Sequence, residues 1–312
     1  MGRARLLLVN FADRLAEVVA ARESQIALGL DPDPAQLLPQ SLDRSPSGGS
    51  PAERAAGAVA VHCRAVIEAT APACAAVKLQ LACFERLGAP GWAALAEVCE
   101  AGREAGLLVI ADGKRGDVPH TAAAYAQALV GETPTPFGEV RGLGADAATL
   151  NPLLGRDALE PLVTAARARG AGSFVLVRTS NAGAAEIQDE APGGGPPLRA
   201  RLARLVDLLG ADGVGDCGLA DVGAVVAATE PILLAGLRDA MPRAVFLLPG
   251  VGAQGGRAEL LGPAFAPGRS AALIAASRSI VGPALEAGSA AAARTAAEDL
   301  RASAWEVSSS GY

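Results

Sequence analysis

Short apolar or β-branched runs alternate along this chain with stretches of helical periodicity. Eight runs read as strands, at 25–31, 75–80, 107–112, 147–151, 173–179, 222–228, 245–249 and 271–276. The segments between them carry helix signals. From Pro51 to Thr70, Ser50 stands as N-cap, Pro51 opens the first turn and Glu53 completes a capping box. Positions 55, 59, 63, 66 and 67 form its apolar face. Eight strand-then-helix units imply an α/β fold closed into a (β/α)8 TIM barrel. An open doubly wound sheet would show fewer strands and a G-x-G-x-x-G after the first, and none follows 25–30. The Pro-, Ser- and Gly-rich segments 33–49, 131–144 and 181–197 read as extended loops on one domain spanning 1–312. An alanine-rich last helix is expected over about 283–304, with a tail fraying from about 306.

Composition narrows the function classes. Aromatic residues make up 3% of the chain and the net charge is −6, which argues against nucleic acid as a partner. The five cysteines are odd in number and none lies in a C-x-x-C pair, so a reducing compartment and no structural zinc are expected. The apolar run 6–9 is too short for a signal-peptide core and no run of 18 apolar residues occurs, so no membrane association and a cytoplasmic location are expected. His62 and His120 are the only histidines and form no metal-ligand motif; both are read as structural.

The basic residues are the most informative. Of 27, only Lys78 and Lys114 are lysines. Arginine holds its proton under all protein conditions, whereas lysine can give one up, so chemistry that moves a proton would resist the exchange. A biased composition that left two lysines by chance is the alternative. Each lysine lies at or near the C-terminal end of a short apolar strand. In a barrel the reactive groups gather at the C-terminal strand ends, where the polar residues here include Asp31, Lys78, Asp112, Lys114, Ser180, the turn from Pro249 through Gln254 to Gly256, and Ser277-Arg278. The Gly-rich turn and Arg278 follow the seventh and eighth strands, the usual place of a barrel phosphate site; a plain turn is the alternative. In Asp112-Gly113-Lys114-Arg115-Gly116-Asp117, strand alternation would send the Asp112 carboxylate and Lys114 ammonium to the same side, with Arg115 facing away. Asp117 could instead cap the helix that Pro119 begins, and Asp31 could simply start the Asp-Pro-Asp-Pro turn.

The D-x-K-x-x-D element at Asp112, Lys114 and Asp117 resembles that of the orotidine 5′-phosphate decarboxylase family. Gly-Leu-Asp-Pro (29–32), Val-Lys (77–78) and Pro-Gly-Val-Gly-Ala-Gln-Gly-Gly (249–256) strengthen the likeness. Asn-Pro-Leu-Leu-Gly (151–155), Val-Arg-Thr-Ser-Asn (177–181) and Asp-Val-Gly-Ala-Val-Val (221–226) are similar to its longer bacterial subgroup. The resemblance implies decarboxylation of orotidine 5′-monophosphate to UMP, the last step of pyrimidine nucleotide synthesis, without cofactor or metal, in a homodimer with shared sites. It would make Lys114 the proton donor to C6 and put Asp112 beside the departing carboxylate. Lys78 and Asp31 would meet the ribose hydroxyls, while Asp117 and Thr121 would arrive from the partner chain. Ser180 would hold the pyrimidine; Gln254 and Arg278, flanked by Pro249 and Ser277, would hold the phosphate. Two stretches depart from the family pattern: Val118-Pro119-His120, where isoleucine and small residues are usual, and Asn181-Ala182-Gly183, where Asn-Pro-Gly is usual.

That scheme is physically coherent. Carbon dioxide loss leaves negative charge on a ring carbon, which a preorganised ammonium stabilises more in the transition state than before it. Three other readings remain open: a metal-dependent phosphosugar barrel that shares D-x-K-x-x-D, a Schiff-base aldolase, and a catalytically silent nucleotide-binding barrel.

Overall fold

The computed structural model of the protein describes residues 9–44 and 47–309. The expectations placed on residues 6–8 and 310–312 lie outside the described residues. Its strands are β1 (Ile26–Leu30), β2 (Ala76–Gln80), β3 (Leu108–Arg115), β4 (Glu132–Thr135), β5 (Gly138–Arg141), β6 (Ala147–Leu150), β7 (Gly172–Arg178), β8 (Ala220–Val226), β9 (Ala244–Pro249) and β10 (Ala272–Ala276). All but β4 and β5 form a closed barrel. Its strands pair in parallel in chain order, and β1 closes it against β10. Each of the eight expected strands is therefore present, with ends shifted by a few residues.

Strand parity divides the core into two. Alternate residues such as Leu28, Leu30, Val77, Leu79, Val109 and Val177 pack outward under the helices. Their neighbours Ala27, Ala76, Ile110, Ala147, Phe174, Leu247 and Leu273 fill the barrel interior. A helix not anticipated from the sequence, Phe11–Arg22, precedes β1 and joins the interior cluster through Phe11, Leu15 and Val19. Phe11 meets Phe174 edge-on at 5.8 Å between ring centres.

The helix Pro51–Thr70 has its expected capping box, and Val59, Cys63, Val66 and Ile67 are buried. Two expectations need correction. The segment 131–144 is not an irregular loop: β4 and β5 pair there as an antiparallel hairpin, with Thr135 paired to Gly138. The final alanine-rich helix is two helices, Arg278–Ala287 and Ala290–Val307. They are separated by Gly288 in the left-handed region and by Ser289, whose hydroxyl accepts the Ala291 N–H. The second of these helices runs to Val307, and just beyond it the Ser308 hydroxyl accepts a 2.6 Å bond from the Gln25 amide.

Candidate active site

The parity that fills the barrel also brings charges to its mouth. Lys78 lies two residues beyond Ala76, Asp112 two beyond Ile110 and Thr149 two beyond Ala147, so each is the next inward position above an apolar layer. They border a cavity of about 500 Å³ at the C-terminal strand ends. Of the expected residues, Asp31, Lys78, Asp112, Lys114, Ser180, Pro249, Gln254, Ser277 and Arg278 line it. Asp117 and Thr121 do not, although both are only half-buried.

Asp112 is the hub. Its Oδ2 accepts from the Lys78 ammonium at 2.7 Å, and its Oδ1 accepts from the Lys114 ammonium at 2.6 Å and the Thr149 hydroxyl at 2.8 Å. Lys78 also lies 3.8 Å from Asp31. The array thus alternates Asp31, Lys78, Asp112 and Lys114. Burial alone would raise the Asp112 pKa, but the two ammonium groups and their hydrogen bonds outweigh it and hold the carboxyl well below its ordinary range. Burial would likewise lower the Lys78 pKa, yet Asp112 and Asp31 reverse this and push it up. The Lys78 side chain is 10% exposed and that of Lys114 41%, so of the two ammonium groups that line the cavity Lys114 is the more accessible.

Lys114 reaches Asp112 by a different path from the one strand alternation suggests. Its φ is +48°, one of two positive values among the described non-glycine residues. A left-handed lysine costs roughly 1–2 kcal/mol. The register between β3 and β6 shifts between Ala111 and Arg115. Arg115 turns away as expected: it pairs with Glu85 and lies over the Tyr125 ring. Asp117 does not cap the following helix Pro119–Leu129; Val118 is the N-cap residue, and the Asp117 carboxylate accepts the Val118 N–H at 2.7 Å.

The far end of the cavity suits an anion. Gly250, Gly252 and Gly255 have φ of +106°, +76° and +89°, conformations that an L side chain resists. The N–H groups of Gly252, Gly255 and Gly256 are used within this turn, so its glycines shape it and leave Gln254 and Arg278 as donors. Arg278 opens the helix Arg278–Ala287, whose N-terminal dipole end also faces this region. Between the two ends, the loop after β7 is held by buried Arg178, which donates to Asp189 at 3.0 and 3.1 Å and to the Thr179 carbonyl at 2.6 Å. Gln188 accepts the Thr179 N–H at 2.7 Å. The Asn181 amide oxygen accepts a hydrogen bond from the Thr179 hydroxyl at 2.7 Å, which anchors the start of the Asn-Ala-Gly turn.

Thr149, Gln80 and Gln188 line the cavity and were missed in the sequence. Thr149 and Gln80 were detectable as polar residues late in otherwise apolar strands. Gln188 depends on the path of a 17-residue loop (181–197), which no local signal gives.

A parallel barrel whose strand ends gather alternating ammonium and carboxylate groups opposite an anion cradle defines an enzyme of the TIM-barrel class. The chain belongs to the orotidine 5′-phosphate decarboxylase / HUMPS family, whose model matches residues 25–294. It is 43% identical over 277 residues to the orotidine 5′-phosphate decarboxylase of Deinococcus radiodurans, covering 87% of this chain and 89% of that protein. The enzyme of the same name from Rhodopirellula baltica is 40% identical over 274 residues, covering 88% and 89%. Among solved structures, Leishmania donovani OMP decarboxylase is similar with a TM-score of 0.71 and 31% identity, covering 97% of this chain and all of that one. Among the described residues, no helix is long and apolar enough to cross a membrane.

Proposed function

We propose that the chain is a carboxy-lyase that converts orotidine 5′-monophosphate to UMP and carbon dioxide in pyrimidine nucleotide synthesis, with Lys114 protonating C6. The observation that carries this reading is the buried Asp112 carboxylate, held ionised between two ammonium groups at one end of a cavity with an anion cradle at the other. With phosphate on Gln254 and Arg278, bordered by Pro249 and Ser277, the pyrimidine lies toward Ser180 and the ribose toward Asp31 and Lys78. The substrate carboxylate then approaches Asp112.

Binding energy from the remote phosphate offsets that unfavourable approach. The bond from C6 to the carboxylate carbon breaks and its electron pair stays on C6. The Lys114 ammonium stabilises the developing charge, then transfers a proton to C6, and solvent returns the proton to the amine. Closure of the segment 251–269 over the phosphate would exclude water. Asp117 and Thr121 lie outside the cavity of their own chain, which suits their entering the site of a partner in a homodimer. The charge array itself supplies the electrostatic catalysis, so neither metal nor cofactor is required.

A Schiff-base aldolase needs a neutral amine, and the carboxylates that push the Lys78 pKa up oppose one. The test is the ultraviolet absorbance decay of orotidine 5′-monophosphate with purified protein in EDTA, beside Lys114→Ala. Wild type is expected to turn over and the variant to be slower by about 1000-fold or more. Activity only after magnesium is restored would point instead to a metal-dependent barrel, and folded but inert wild type to a binding protein.

A further inference from the structure

Between the pairs Ala111–Ala148 and Arg115–Leu150, β3 advances four residues while β6 advances two. Asp112, Gly113 and Lys114 therefore stand against the single residue Thr149. The ladder cannot supply each of their backbone groups with a partner, and a buried N–H left alone is costly. The Lys114 N–H donates instead to the Thr149 hydroxyl oxygen at 2.9 Å, and that hydroxyl donates its own proton to Asp112 Oδ1 at 2.8 Å. The directions are fixed by chemistry. An ionised carboxylate only accepts and a backbone N–H only donates, so the hydroxyl has one arrangement that satisfies both.

We propose that Thr149 is a positioning residue for the reaction: its hydroxyl pins the bulge that turns the Lys114 ammonium back to Asp112 and fixes the carboxylate on which that ammonium rests. The inference rests on the proposed decarboxylation. Thr149 is 1% exposed, and its branched Cβ restricts χ1, so the hydroxyl is aimed before substrate arrives. The left-handed Lys114 needs such a tie, because an unconstrained lysine relaxes to negative φ and carries its ammonium away from Asp112. Serine keeps both hydrogen bonds; valine keeps the shape and loses both.

Thr149→Val, Thr149→Ala and Thr149→Ser test this through kcat and KM for orotidine 5′-monophosphate, product affinity for UMP, and melting temperature. In the valine and alanine variants kcat is expected to fall by about 10- to 100-fold, the scale of a small misplacement of reacting groups. KM and UMP affinity should change less than about threefold, since phosphate and base contacts lie elsewhere. Serine should restore kcat to within about threefold of wild type, as it keeps the hydrogen bonds. The alanine variant reads the same loss should valine fail to fold. Unimpaired kcat in a folded valine or alanine variant would overturn the inference and leave the decarboxylase reading standing. So would a loss that appears equally in KM and UMP affinity, or one that serine does not restore. An inactive wild type would remove both.

Discussion

His62 lies within the helix Pro51–Thr70, and its Nδ1 accepts the Leu38 N–H at 3.2 Å. The ring is therefore neutral at Nδ1, and burial lowers its pKa from 6.5 to about 4. The unfolded chain takes up a proton below pH 6.5 that the folded chain refuses, so the neutral ring's contribution is complete above 6.5 and is lost as pH falls toward 4. The loss amounts to at most about 3.5 kcal/mol, at 1.4 kcal/mol per unit. Denaturant titrations at stepped pH should show this decline in wild type and a flatter profile in His62→Gln. Identical profiles would refute the assignment. The structural reading of this histidine was open to sequence reasoning, as was the significance of two lysines among 25 arginines. The left-handed turn at Lys114 was not. It depends on two extra residues in β3 opposite β6, and such a bulge is a property of pairing that neither strand shows alone.

At the scale of elements, β4 and β5 form a hairpin joined to the N-terminal end of β6, at the face of the barrel opposite the cavity. Pro134 sits in β4, a two-stranded ribbon where its missing N–H can be tolerated, and Phe137 at the turn is almost fully exposed. Replacing 132–141 by a short Gly-Ser turn is expected to leave kcat and KM within about twofold of wild type, because remote surface changes seldom reach a site. Steady-state kinetics on the shortened chain would check this; a large fall in kcat would show coupling across the barrel. The Thr-Pro-Thr-Pro sequence hid the hairpin, since two prolines in four residues read as breakers. The barrel strands were legible because each is a short apolar run, buried on both faces. The break at Gly288 was hidden by alanine on both sides, which supports helix in either register.

At the scale of the whole molecule, closure of the barrel turns eight local signals into one site. Asp31, Lys78, Asp112, Ser180, Gln254 and Arg278 come from distant parts of the chain and meet only because parallel strands present their C-terminal ends on one face. Their order along the sequence made the family resemblance visible; their distances did not follow from it. Asp117 and Thr121 lie outside the cavity of their own chain and would enter a site only where a second copy brings them, as a two-fold dimer with reciprocal contacts would. In the proposed homodimer, Lys114 of one chain and Asp117 of the other would act on one molecule of orotidine 5′-monophosphate. Mixing Lys114→Ala with Asp117→Ala chains, under conditions where subunit exchange is demonstrated, tests it most directly. Each parent is expected to be nearly inactive and the mixture to regain turnover, since each heterodimer holds one site with both residues intact. An unimpaired Asp117→Ala parent, or no recovery in a mixture shown to contain heterodimers, would contradict it.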